Sequence, residues 1–554
     1  MPVRFRPGPT LVPRKQDASS GGESIAACDG YATFRHFARN KAATAPVSDQ
    51  SKVRAGLTQK PLSVFRDLSN YLTGRIVLLF LGFASFPLLT RMLPIAQYGL
   101  VSLTLRLVLF LTVFCKCGFQ YAVNRFYQEA IADGSPAAQR RYYSTLVFGP
   151  LAITLAVLGL YSAGLLVGYK HISDSVQRDC FLLAPPLVLI RVMQSLLLGF
   201  LRNQGRSRLH SIFEVATKTL TLVALILLFV SPYHNALAFL AASIISEGIV
   251  VLIQVRMLQG GGMLALNSVD VVLIRRCFAF GLPLIAYEFA SIVLDSGDRF
   301  LVQHFLGDVQ LGYYSAAYNI ASYLQDIVTS PMNLAFLPIY LQIWNREGPE
   351  ATSRFLSRAL SWFLVCIAFV TSISLLVSQS VIVLLASRRY LQAHELLPVL
   401  TLGVMLYATH IFLNAGMVIT KKTGVMAQLV TVSAAANIGL NLVLIPRFGN
   451  LGAAYATLAG YALLISLMAY VNRKILPIKL DRQLVLSSFA AAACTWLVGK
   501  QLPSQSYLFT LTLGVFTCMA CFAIVLLALS STARKTIFGL VSRISTSNTE
   551  ILKV

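Results

Sequence analysis

Glu288, Asp295, Asp298 and Arg299 fall within one short stretch whose other members are chiefly apolar or small. A carboxylate among apolar neighbours can hold a proton or a cation, and a guanidinium offers forked donors that match phosphate oxygens. At about 100° per residue, Glu288, Asp295 and Arg299 project from one helix face, and Asp295 and Arg299 stand i,i+4, the spacing of an ion pair. Two more polar stripes keep helical spacing: Asn319, Ser322, Asp326 and Ser330, and His210, Glu214 and Lys218. Glu214 with Lys218 reads as a structural ion pair. The stripe through Asp295 reads either as the same interhelical glue or as the wall of a hydrated cavity. No GxxxxGK[ST] phosphate loop occurs, which argues against ATP hydrolysis. No nucleophile–base or metal-ligand set converges, so neither an enzyme nor a cofactor is expected. Cys115 with Cys117, and Cys518 with Cys521, lie in or beside apolar runs and read as small packing residues.

The elements that carry these charges are greasy. The chain of 554 residues is 56% hydrophobic and only 12% charged, with a mean hydropathy of +0.69. Its apolar residues arrive in runs of about 18 to 25, the length that crosses a bilayer as a helix. This predicts an all-α polytopic membrane protein of about fourteen transmembrane helices. The net charge of +24 does not point to nucleic acid, because the basic residues gather at alternate helix ends. With the N-terminus inside, the inner connections hold nineteen Lys and Arg and the outer ones seven, so both termini are expected in the cytoplasm. Residues 1–65 read as a disordered basic cytoplasmic extension and 532–554 as a cytoplasmic tail.

Residues 91–103 align with 304–316 at an offset of 213, matching Leu93/Leu306, Gln97/Gln310, Gly99/Gly312 and Ser102/Ser315. Arg202-Asn203-Gln204-Gly205 likewise lies opposite Lys421-Lys422-Thr423-Gly424. The halves run in the same direction, giving a parallel repeat of six helices: one lobe over 71–256, another over 278–472, and two further helices over 484–531. Arg106, Arg191, Lys218, Arg299, Glu214, Glu247, Glu288, Asp295, Asp298 and Asp326 all fall inside spans. Each costs about 2.5–3.5 kcal/mol at a helix centre, so these groups must pair, line water or approach an interface. Asp298-Arg299 corresponds to Ser85-Phe86 in the first half, so the repeat itself does not require that charged pair. Pro87, Pro185, Pro186, Pro283, Pro331 and Pro338 fall inside spans and permit bends.

NLVLIPRFGNLGAAYATLAGY (441–461) resembles the N-x-x-L-I-P-x-x-G-x-x-G-A-A-x-A-T stretch of the polysaccharide transporters, the O-antigen flippase group of the multidrug/oligosaccharidyl-lipid/polysaccharide exporter superfamily. DRFLVQHFLGDVQLGYYSAAYNIA (298–321) and FPLLTRMLPIAQYGLVSL (86–103) are similar to that group's seventh-to-eighth and first-to-second helix segments. The resemblance implies two six-helix lobes around a central cavity walled partly by helices 1, 2, 7 and 8. It implies a secondary transporter that flips undecaprenyl-pyrophosphate-linked oligosaccharide across the bacterial inner membrane. The pathway would be O-antigen, capsule or exopolysaccharide assembly, with a polymerase and co-polymerase as possible partners and no nucleic acid. By location, Arg106 and Arg299 would meet the anionic carrier; Tyr313, Tyr314, Tyr318, Asn319 and Gln325 would meet the glycan. Glu288, Asp295, Asp298 and Asp326 are the ion-coupling candidates. Two other readings stay open: an organic-cation antiporter of the same superfamily, favoured by the surplus of acids, and a non-transporting scaffold of a glycan assembly complex.

Overall fold

The computed structural model describes residues 61–133, 135–168, 174–501 and 506–537. The expected extension and tail lie almost wholly outside the described residues. From Asp67 onward the described residues form one compact unit. In chain order the first half comprises α1 (Pro61–Met92), α2 (Ile95–Lys116), α3 (Phe119–Ala132), α4 (Pro136–Gly168), α5 (Ser175–Leu182), α6 (Ala184–Asn203), α7 (Ser207–Val230) and α8 (Ala236–Gly260). The second comprises α9 (Val271–Leu385), α10 (Leu396–Ala408), α11 (His410–Leu413), α12 (Ala415–Ile419) and α13 (Thr423–Asn472). It is followed by α14 (Arg482–Gly499) and α15 (Tyr507–Leu529).

Among the described residues, ten helical stretches are long and apolar enough to cross a membrane. They are fewer than the fourteen expected spans for a local reason. The long helix α9 is broken at Gly307 (φ 82°) and Gly348 (φ 85°), and α13 at Gly449 (φ 58°). Each break falls where a polar interruption separates two predicted spans. Glycine reaches this left-handed backbone without a Cβ penalty, so one residue does the work of a loop. In addition, α14 is shorter and less apolar than the ten.

Lipid tails are as apolar as leucine, so helices here associate through close packing and interhelical hydrogen bonds rather than through hydrophobic burial. The crossing of α2 over α9 shows how. A Cβ on Gly99 would run into the carbonyl oxygen of Asp308 and come within 2.9 Å of the Gly312 nitrogen; a Cβ on Gly312 would run into the carbonyl of Ile95. Offset by 213, Ile95 corresponds to Asp308 and Gly99 to Gly312, so the contact is reciprocal, as a two-fold axis requires. The matched glutamines also act alike. Gln97 accepts from the Ala236 amide at the start of α8 (3.0 Å), while the Gln310 side chain accepts from Asn450, beside the Gly449 break (2.8 Å).

At its other end α2 stops at two consecutive left-handed residues, Cys117 (φ 44°) and Gly118 (φ 74°). The corner presses on Gly281 of α9, where an added Cβ would lie 2.9 Å from the Cys117 carbonyl oxygen. The apolar run that begins at Ile95 is therefore a helix, a corner, and a second helix, α3.

Candidate functional site

The Glu288–Arg299 stretch of α9 sits where α2 and α13 pack against it, and its charges divide between those two neighbours. Toward α2, Asp295 Oδ2 accepts from Ser296 Oγ (2.7 Å) and stands 3.5 Å from Arg106 Nη1, which also donates to Ser296 Oγ (3.3 Å). Its Oδ1 accepts from the hydroxyls of Tyr318 (3.0 Å) and Tyr461 (3.4 Å). The side chains of Arg106 and Asp295 remain 24% and 41% exposed, so this pair bridges α2 and α9 while staying partly accessible.

Toward α13 lies a second pair, sealed off. Arg299 and Asp298 are 0% and 1% exposed, with Arg299 Nη1 3.5 Å from Asp298 Oδ1. The same nitrogen donates to the Asp295 carbonyl oxygen (3.0 Å), and the guanidinium stacks 4.0 Å from the centre of the Tyr318 ring. Asp298 Oδ2 accepts from Tyr314 (2.5 Å) and Thr457 (3.0 Å). The expected i,i+4 pair between Asp295 and Arg299 does not form. Arg299 turns into the second half, over Tyr318, and leaves the Asp295 carboxylate to Arg106.

The other candidates separate further. Glu288 is held at the α2–α3 corner by Lys116 Nζ (3.2 Å), Gln120 Nε2 (2.6 Å) and the Tyr121 hydroxyl (3.4 Å). Asn319 donates to the Tyr98 hydroxyl (2.7 Å), tying α9 to α2. Gln325 is half-buried and Asp326 exposed. Tyr313 leaves the group: its ring meets Tyr390 edge-on, and it lines a different cavity with Gln310, Glu395 and Asn450. Tyr314 and Tyr318 are fully buried, so with Asp298 and Arg299 they do not line an open surface in this conformation. The expected Glu214–Lys218 pair is replaced as well. Glu214 stands 3.5 Å from His210, while in the same half Arg191 of α6 takes Glu247 of α8 in a two-pronged contact of 2.9 and 3.0 Å.

Sequence reasoning missed Thr457, Tyr461, Lys116 and Gln120 as partners of these acids. Thr457 and Tyr461 stand in the 441–461 stretch, whose Ala-Thr and terminal Tyr were legible as a pattern but carry no charge to mark them. Among the described residues no cluster of His, Cys, Asp and Glu could hold a metal ion.

A family model described as polysaccharide biosynthesis protein matches residues 64–344. The chain belongs to this family. Across 214 residues it is 25% identical to the uncharacterized membrane protein MJ1068 of Methanocaldococcus jannaschii, a match covering 37% of this chain. The chain therefore spans only 40% of that relative's length. Two solved structures share the fold. One is the lipid II flippase MurJ in an inward closed conformation, with a TM-score of 0.53, 14% identity, and 83% of this chain and 98% of that chain covered. The other is an inward-facing multidrug resistance MATE family transporter of the MOP superfamily, with a TM-score of 0.56, 13% identity, and 77% and 96% covered. At such identities the likeness is one of fold. This member of the polysaccharide biosynthesis family is a multi-span, all-helical membrane protein with the architecture of MOP transporters.

Proposed function

We propose that this protein is a secondary transporter, not an enzyme, that flips undecaprenyl-pyrophosphate-linked oligosaccharide repeat units across the bacterial inner membrane by alternating access. Its termini lie in the cytoplasm and its product feeds a polysaccharide polymerase. Family membership supports the pathway and the shared fold supports transport. The observation that carries the reading is the half-exposed Arg106–Asp295 pair across α2 and α9.

A pyrophosphate that approaches this pair competes with Asp295 for Arg106, and it presents more oxygens to the guanidinium fork than one carboxylate does. Taking Arg106 loosens a bond between the halves, so the ligand favours the state in which they part. That is the differential affinity a conformational shift requires. Asp295, released, keeps the Tyr318 and Tyr461 hydroxyls and becomes a site for a proton or cation. Substrate and coupling ion thereby act on one pair from opposite sides. The glycan would follow the polar surface near Asn319, Gln325 and Asp326, while the prenyl chain stays in lipid.

In cells deleted for the gene, wild-type protein should restore surface polysaccharide, Arg106→Gln should not, and Arg106→Lys should restore it weakly because a point charge lacks the fork. Normal polysaccharide with Arg106→Gln at wild-type protein levels would refute the assignment. The exposed acid Asp326 favours one rival, an organic-cation antiporter. Under that reading deletion changes drug sensitivity and leaves polysaccharide intact.

A further inference from the structure

The first half holds a cavity of about 370 Å³, in the range of small-molecule sites, between α3, α4, α6 and α8 and apart from the Arg106–Asp295 pair. Its polar lining is Tyr127, Gln139, Tyr143, Gln204, Arg206 and Gln254. Gln254, on α8, is the informative one. It is only 4% exposed, yet neither its Nε2 nor its Oε1 has a hydrogen-bond partner. Other amides nearby are used: Gln204 donates to the Tyr143 hydroxyl (2.8 Å) and Gln194 to Thr217 (2.7 Å). A buried amide with both ends unpaired is costly, and an apolar side chain of the same size would avoid the cost.

We propose that this cavity is a sugar-binding site, with Gln254 donating to one ring hydroxyl and accepting from its neighbour. The chemistry of the walls selects the class. The rings of Tyr142, Tyr143 and Phe200 are almost fully buried and pack against each other with centroids 5.0–5.9 Å apart, a stiff support behind the polar lining. The amides and phenols around it supply uncharged donors and acceptors, which suit hydroxyls. No acid lines the cavity, which disfavours a cation, and an acyl chain would leave the amide unpaired. Arg206, exposed at the rim, can accept a phosphate attached to the sugar. The ligand is thus a free sugar or the sugar of a phosphate-linked donor, and α3, which follows α2 through the Gly118 corner, would feel its arrival.

The test uses the full chain in nanodiscs, titrated with methyl glycosides of glucose, galactose and N-acetylglucosamine and with the matching UDP-sugars. Saturation-transfer NMR and thermal unfolding are the readouts. At least one sugar should bind saturably and raise Tm. Gln254→Leu should raise the ligand-free Tm, because it removes the unpaired amide, and should weaken sugar binding by about tenfold or more. Tyr127→Phe should weaken it by a smaller factor, and serves if Gln254→Leu folds poorly. Arg206→Gln should weaken UDP-sugars alone if the phosphate-linked donor is the ligand, and should leave both series unchanged if the free sugar is. Absence of saturable binding across the panel, or binding indifferent to both Gln254→Leu and Tyr127→Phe, would overturn the proposal. Either result is independent of whether Arg106→Gln stops polysaccharide export.

Discussion

Two arginine–aspartate pairs have their aspartates about one helix turn apart on α9, and their burial assigns them different work. Asp298 and Arg299 are sealed between α9 and α13 with Tyr314, Thr457 and Tyr318 around them. Removing one charge from such a pair leaves the other uncompensated, at a cost of roughly 3–5 kcal/mol, whereas replacing both with apolar groups is often neutral. Asp298→Asn should therefore lower Tm sharply in detergent, and Asp298→Leu with Arg299→Met should unfold closer to wild type than either single change. If Asp298→Asn unfolds like wild type, the pair is not structural. Arg106 and Asp295 invert this pattern. The pair stays partly exposed, so Asp295→Asn should lower Tm less than Asp298→Asn does while stopping transport. The acids and arginines themselves were legible, because charge in an apolar run is conspicuous. Their pairing was not: helical periodicity fixes the azimuth of each side chain but not which helix it meets. Tyr318 under the guanidinium and Asp298 beside it hold Arg299 away from the Asp295 carboxylate.

At the scale of elements, α2 is held at both ends by glycine, against Gly312 and against Gly281. Most helices were readable from apolar run length, and the breaks within α9 and α13 from their polar interruptions. That those breaks are single left-handed glycines, and that Cys117-Gly118 cuts the second span, depends on tertiary clearance that no run length encodes. The α2–α9 crossing makes a specific prediction. An alanine at position 99 or 312 must push the two helices apart, since the neighbouring backbone carbonyl cannot move without breaking its own helix. Spin labels at His234, between α7 and α8, and at Val309, just past the Gly307 break of α9, should report a longer and broader distance in Gly99→Ala than in wild type. Gly312→Ala should give nearly the same shift, because the two glycines are equivalent about the axis. A clear shift from one substitution and none from the other would rule out a symmetric crossing.

For the whole molecule, the reciprocal contact constrains orientation. The contacts of Ile95 with Gly312 and of Asp308 with Gly99 fit halves whose equivalent residues lie at the same depth on the same side. A parallel repeat of an even number of spans provides this, and an inverted repeat would carry them to opposite faces. The connections at Arg202–Arg208 and at Lys421–Lys422, which the sequence sets opposite each other, are both basic. Each also turns on one left-handed residue, Gly205 (φ 69°) or Lys421 (φ 58°). Retaining such groups on the inner side is the cheaper option, since each Lys or Arg moved outward must cross hydrocarbon against the insertion bias. In right-side-out vesicles of a variant without native cysteines, His234→Cys and Val309→Cys should therefore react with a membrane-impermeant maleimide. Arg206→Cys and Lys474→Cys should react only after permeabilisation. If His234→Cys reacts and Val309→Cys does not, the halves are not parallel and the two-fold reading of the α2–α9 crossing fails. If all four reverse, the repeat stands but the cytoplasmic placement of the termini fails.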